Sequence, residues 1–423
     1  MSTRRLTATV LVAVGLSAGQ AWGQSPESDV TPEAAAQGLD QATYVIPAVP
    51  DTTLEEMNIE DAKDRFSVKF GIAALFDYTS FEQDAASLGQ VGDQDDEFEV
   101  RSFRVSARGH FELWRRWNYM ASYEYKGFDQ TSVENWNVTD FRIGTELGPG
   151  TLTFGKIKEA HVYEMVGDAA NLPHHERVLS PFFVSREVGV SYAGQLPKQR
   201  GTWTVGWYND WLTESEDWGD AGNDFAARIT WVPVWEDEGR NFLHLGASTR
   251  YTAPDNDSLR MKGKPASNVA SDYVDTGSID ADHAWNYGLE ALVNRGPWSL
   301  LAEYVHADVH SSAAGDPAFS GWYLTGSWVV SGDYRPYDRK AGYARRVLPQ
   351  GEWGAVELVA RVGRVDLDDA AVEGGTMDGW WLAVNWWATR RWKASIGYGN
   401  IDLDRFGPEG NTETLLSRIQ WIF

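Results

Sequence analysis

Residues 412–423, TETLLSRIQWIF, alternate in character. Leu415, Ser417, Ile419, Trp421 and Phe423 share one mostly apolar face, while Arg418 and Gln420 mark the other. A period of two is the signature of a strand whose faces meet different surroundings. The same period recurs from Phe66 onward. Sixteen strands are predicted, starting at 66–78, 98–111 and 117–128 and ending at 378–389, 391–402 and 412–423. In 223–234, Phe225, Ala227, Ile229 and Trp231 oppose Ala226, Arg228 and Thr230; in 283–294, Trp285, Tyr287, Leu289 and Ala291 oppose Asn286, Gly288 and Glu290.

The connections differ at the two ends of these strands. Short ones such as 147–150, 294–297 and 389–391 alternate with long ones such as 79–97, 159–185 and 253–282; the segment 333–351 is long where a short turn is expected. A soluble sandwich would have to cover its own apolar face. Lipid outside and water inside account for both faces at once. The fold class expected is all-β: a 16-stranded antiparallel transmembrane β-barrel.

The first residues carry Arg4 and Arg5, an apolar core over 6–18, and Ala21-Trp22-Gly23 as a cleavage site. The expected organisation is therefore a Sec signal peptide at 1–23, a flexible periplasmic leader at 24–64 with one short helix near 53–63, and the barrel at 65–423. A bacterial outer-membrane location follows from that reading. No run of 18 apolar residues occurs, which excludes helical spans but not barrel strands. The 21 Trp residues suit an interfacial belt or a glycan-stacking surface. The net charge of −24 argues against nucleic acid as a partner, yet says nothing of the sign inside a channel. With no Cys, thiolate metal sites and cysteine catalysis are excluded.

Candidate lumen cations are Arg104, Arg108, Lys126, Arg142, Arg228, Arg250, Arg361, Lys393 and Arg418, with Glu124, Asp140, Glu146, Glu187, Glu290, Glu303 and Glu357 on the same face. The near balance does not itself make an anion channel. In 334–350, Arg335, Arg339, Lys340, Arg345 and Arg346 accompany a lone acid, Asp338. That segment reads equally as a basic periplasmic collar or as a turn packed by Tyr334, Tyr337 and Tyr343.

Gly155-Lys156-Ile157-Lys158-Glu159 closes a strand, and a long loop with Glu176-Arg177 follows before Phe182, Phe183, Arg186 and Gly189. Later come Gly321-Trp322-Tyr323-Leu324-Thr325-Gly326, Tyr334-Arg335-Pro336-Tyr337-Asp338, Glu357-Leu358-Val359-Ala360-Arg361 and Asp366-Leu367. In order and spacing, from about 66 to the end, these resemble the phosphate-selective porin O and P family. The resemblance implies a trimeric channel whose third loop folds inward, with Lys156 and Lys158 at the loop's entry and Arg177 near its exit as anion contacts. Ala160-His161 replaces the family's usual Pro-Phe, and Glu164, Asp168, His174 and His175 add acids and imidazoles. A general small-solute pore is therefore kept beside a phosphate-like one.

Enzymes fare worse. None of the eight His sits beside a Gly-x-Ser-x-Gly elbow, and His174-His175 lacks the spacing of a zincin. A glycosidase would need paired carboxylates in a cleft. The acidic loops 93–97 and 366–369 read as solvated. The expectation is a porin for passive diffusion of small anionic solutes, phosphate or polyphosphate among the candidates, rather than a hydrolase. Its expected partners are lipid, lipopolysaccharide and two further copies of itself, with no cofactor, metal or catalytic residue.

Overall fold

A computed structural model describes residues 59–60, 65–125, 136–209 and 221–423. Within them sixteen long strands follow one another: β1 Phe66–Gln83, β2 Glu97–Glu112, β3 Arg116–Tyr125, β4 Trp136–Leu147, β5 Gly150–Lys158, β6 Arg186–Gln195, β7 Thr202–Asn209 and β8 Ala221–Glu236. Then come β9 Asn241–Pro254, β10 His283–Arg295, β11 Trp298–His310, β12 Ala318–Val329, β13 Ala355–Asp369, β14 Val372–Trp387, β15 Trp392–Asp404 and β16 Gly410–Ile422. Every strand pairs antiparallel with its neighbours in the chain. The ring closes because β1 also pairs with β16, from Ala73 opposite Ile422 to Gln83 opposite Thr412. At the seam Ile72 and Phe423 exchange both backbone bonds, at 2.8 and 2.7 Å. Among the described residues no long strand is left with an open edge to recruit another chain.

The two faces are as the alternation requires. Along β11, Trp298, Leu300 and Tyr304 are exposed while Leu301, Glu303 and Val305 are buried. Phe225, Leu289, Leu382 and Ile419 continue the exposed apolar ring. Each such side chain left in water forgoes roughly 1.5–3 kcal/mol, so a surface of this kind is stable only against lipid.

Several boundaries differ from the sequence expectation. The stretch 367–377, read as a loop, instead prolongs β13 and β14 to a tight turn at 369–372. Its Asp and Gly residues look like a loop, but the register shift between Asp366 and Asp368, with Gly375 at φ 91°, lets pairing continue. Within 53–63, where the sequence suggests a helix, the two described residues Ile59–Glu60 pair as strand with Ser67 and Val68. The proposed signal peptide, most of the leader and Lys126 lie outside the described residues.

Three long connections pack against the buried face of the ring or bridge its strands. Segment 159–185 holds the short helix α1, Tyr163–Val166. It is buried almost throughout, and its partners are side chains on the buried face of the ring. Segment 255–282 contains two small hairpin ladders, Ser258–Leu259 with Ile279–Asp280 and Lys262–Gly263 with Val274–Asp275. It reaches strands far around the ring: Asn268 Nδ2 donates to Glu99 at 2.9 Å, and the Tyr273 and Thr412 hydroxyls lie 3.0 Å apart. Segment 330–354 carries a third ladder, Tyr337–Asp338 with Tyr343–Ala344. Val162, Met165, Val178, Leu179 and Phe182 join Leu259, Met261, Tyr273 and Val274 in one apolar cluster with Val305, Phe319, Tyr323 and Val365 of the wall. Gly321 makes room for it, since a Cβ there would stand 2.6 Å from Phe182 and 2.7 Å from Leu179.

Candidate functional site

Two of the cavities beside segment 159–185 carry clustered cations and lie mainly toward β1–β8, while another, lined by His174, His175 and Glu176, faces β13–β16. The first, of about 50 Å³, is lined by Arg101, Arg104, Lys158, Arg177 and Arg186 against two carboxylates, Glu124 and Asp168. The second, of about 40 Å³, is lined by Arg142, Lys158 and Arg228 against Glu159. Each has room for about three waters. Lys158 lines both.

Most of these cations are held by carboxylates. Arg101 binds Glu176 through two bonds of 2.7 and 3.0 Å, Arg104 binds Glu124 at 2.7 Å, and Arg186 binds Asp140 at 3.2 Å. Arg228 binds Glu290 and also donates 2.8 Å to the Gly342 carbonyl. Lys158 Nζ donates to the carbonyls of Met165 (3.0 Å) and Gly167 (3.1 Å), and Arg177 donates to the carbonyls of Glu164 (2.7 Å) and Gly167 (3.4 Å). Carbonyl oxygens accept from the Nζ without bringing a counter-charge to the place where the two cavities meet.

Other expected anion contacts serve to fix segment 159–185. Arg250 binds Glu159 at 2.7 Å and also Asp224. Arg361 binds Glu164 and donates 2.9 Å to the Glu176 carbonyl. Arg418 spans Asp77 (2.7 and 2.6 Å) and Glu176 (2.5 Å), and reaches the His175 carbonyl at 2.8 Å. Lys393 sits 4.8 Å above the Trp387 ring. On sequence grounds these side chains meet a solute; the structure instead pairs them with the segment or the wall, because its acids Glu159, Glu164 and Glu176 need counter-charges once buried.

Lys156 is a correction. It is paired opposite Phe141, which is 67% exposed, so it shares the outer face and does not line the lumen. Arg108 lies between Lys69 and Met120 in register, on the same face as Arg142, but lines neither cavity. In the basic segment, Arg335 is bidentate to Glu357 at 2.7 Å and donates to the Asn171 carbonyl at 2.7 Å, and Arg345 binds Asp338 at 2.5 Å. Arg346 donates through its backbone to Asn171 Oδ1, and Arg339 caps the Lys198 and Gln199 carbonyls over the Trp235 ring. Lys340 is half-buried. With Tyr337 and Tyr343 buried, the packed turn describes this segment better than the free collar.

Arg101 and Arg186 are absent from the sequence-based contacts. Arg101 occupies a bulge: Leu75 pairs with Ser102, but Phe76 pairs with Val100. The extra residue breaks the alternation, and Arg101 and Ser102 are both buried.

The segment's docking is expected to depend on pH through His174. Burial, then Arg361, lower its pKa to about 4, although Glu164 Oε1 stands 3.1 Å from its Nε2. A released ring would titrate near 6.5. The docked state therefore binds fewer protons between those values, and its stability, full above 6.5, is lost as pH falls toward 4. Open-channel noise is expected to rise between pH 7 and pH ~4.5, and His174→Gln is expected to flatten that dependence in single-channel recordings.

Comparison with known proteins agrees with this architecture. A family model described as phosphate-selective porin O and P matches residues 69–423. An uncharacterized protein of Caulobacter vibrioides is 26% identical over 297 residues; the match covers 65% of this chain and 58% of that protein's length. Among solved structures, the anion-selective porin from Comamonas acidovorans superimposes with a TM-score of 0.56 at 13% identity, over 85% of this chain and 100% of that one. OmpT of Vibrio cholerae gives 0.52 at 12% identity over 85% and 98%, and OprB of Pseudomonas putida 0.52 at 11% over 84% and 94%. At such identities the likeness is one of fold. A closed ring of sixteen strands with an exposed apolar belt, matched from β1 to the last residue by one family model, places the chain in the phosphate-selective porin O and P family of bacterial outer-membrane barrels.

Proposed function

We propose that the protein is an anion-selective porin through which small, phosphate-like solutes diffuse passively, with segment 159–185 folded inward as the constriction. The observation that carries this is the first cavity, where Arg101, Arg104, Lys158, Arg177 and Arg186 face two carboxylates, Glu124 and Asp168. An anion there trades hydration for fixed donors, which is how charged walls select. The family match and the fold shared with the anion-selective Comamonas porin support the reading. Export by the 1–23 signal peptide, contact with lipopolysaccharide and assembly as a homotrimer belong to the same proposal; a Vibrio cholerae OmpT structure of similar fold is described as a trimer form.

A channel also suits the histidines better than an enzyme does. His175 Nε2 lies 3.0 Å from Ser395 Oγ, but both are buried and the pair ties segment to wall. The test is a planar bilayer with a KCl gradient across purified protein. A zero-current potential on the chloride side, with chloride current reduced by added phosphate, is expected; a potential on the potassium side would refute it. A value near zero would favour the general small-solute pore, for which Glu124, Asp168 and Glu159 speak.

A further inference from the structure

Apart from the inward cavities, an apolar groove of about 860 Å³ opens on the outside of the ring. Two rows of outward residues border it, each crossing neighbouring strands in register. The first runs through Trp298, Trp328, Leu358, Val384 and Ile396. The second runs through Leu300, Gly326, Ala360, Leu382, Tyr398 and Leu415. Leu300, Leu358, Leu382 and Ile396 are exposed, so the groove faces lipid. The second row is breached at Gly326 and Ala360. A Cβ on Gly326 would meet nothing nearer than 3.9 Å, which leaves an open gap there.

The groove has one polar end. It starts at the short turn between β10 and β11, where Arg295 lines it directly opposite Trp298. Trp298 and Trp328 stack at this end, with centroids 4.8 Å apart and planes 4° from parallel. Leu358, Val384 and Ile396 stand three or four residues inside the ends of their strands. In a wall of tilted strands the groove therefore climbs from the rim into the apolar belt. Arg295 is the one charged side chain lining it, and among the described residues no carboxylate pairs with it.

A hydrocarbon chain gains little by leaving lipid for an equally apolar wall. What sets this place apart is a gap shaped for a tail with a single cation at its mouth. A guanidinium meets the oxygens of a phosphate in two parallel bonds, and Trp rings suit the headgroup level. Short turns of such barrels face the periplasm, where the leaflet is built of phospholipid. We infer that the groove binds one anionic phospholipid of that leaflet, its phosphate at Arg295 and an acyl chain laid along the gap at Gly326 and Ala360. The site lies on the opposite face of the wall from the inward cavities, so it stands apart from the anion-channel reading.

The test is native mass spectrometry of the full purified barrel, incubated in detergent with phosphatidylglycerol. One retained lipid per chain is expected. Arg295→Gln is expected to lower the retained fraction about fivefold, the factor that one basic residue at an anionic surface supplies. Gly326→Leu is expected to lower it as well by filling the gap, and Arg115→Gln, in the β2–β3 turn, to leave it unchanged. Phosphatidylcholine, whose headgroup carries its own cation, is expected to be retained about fivefold less. The heat-dependent gel shift of each variant checks that it remains a barrel. Absence of a stoichiometric lipid, equal retention of the two lipids, or retention that survives both groove substitutions would overturn the inference. So would preferential retention of lipopolysaccharide. A change of oligomeric mass in Gly326→Leu with lipid retention intact would overturn it too, making the groove a contact between copies.

Discussion

Lys158→Met is expected to lower chloride current through the open channel by about tenfold or more and to move the zero-current potential toward potassium. The side chain is similar in length and volume, so what changes is chiefly the charge. At ~5 Å, a unit charge acts on a passing anion with about 3 kcal/mol at an effective dielectric near 20. Ions in solution and the neighbouring guanidinium groups screen part of that, which is why tenfold rather than a hundredfold is expected. Lys158 is also the one described residue that lines both cavities, so it has no substitute there. The cost is two lost bonds to the Met165 and Gly167 carbonyls. Unchanged bilayer currents would mean that ions do not pass this side chain.

Glu176→Gln is expected to produce the opposite phenotype, larger and noisier conductance steps. Burial opposes ionisation of Glu176, but Arg101 and Arg418 outweigh it and hold the carboxyl well below the usual carboxylate range. Arg418 in turn grips Asp77 with bonds of 2.7 and 2.6 Å. Removing the Glu176 charge takes a carboxylate partner from two buried guanidiniums, with Asp77 left to Arg418, and breaking a buried pair from one side costs about 3–5 kcal/mol. The ring keeps its continuous ladder and stays closed, so that cost is relieved where fewer bonds resist, in segment 159–185. Faster amide exchange across the segment, with β1–β16 still protected, is the matching readout. A quiet channel of normal conductance would show that the segment is held by its apolar cluster instead.

The contrast between Lys156 and Lys158 shows how far a sequence reaches. In β5, counting in twos puts Lys158 on the same face as Phe154 and Lys156, which is the outer one. Lys156 stays there, whereas Lys158 is buried with its Nζ bonded to α1 and Gly167. The strand ends at Lys158, and once the chain leaves the sheet the pleat no longer dictates direction. Arg101 escaped the count for a related reason, a bulge whose position no composition or period announces.

The alternation of apolar and polar residues was sufficient to specify sixteen strands and their general facing, though not the tight turn at 369–372. Those are local consequences of a two-residue repeat in a ring with lipid on one side. Which of the inward cations remain electrostatically available could not be read there. Arg250, Arg361 and Arg418 look alike along the chain as inward cations, yet each is matched by Glu159, Glu164 or Glu176 from a segment distant in sequence. A buried charge is defined by its neighbours, and those neighbours meet only when the ring closes and segment 159–185 packs against its buried face.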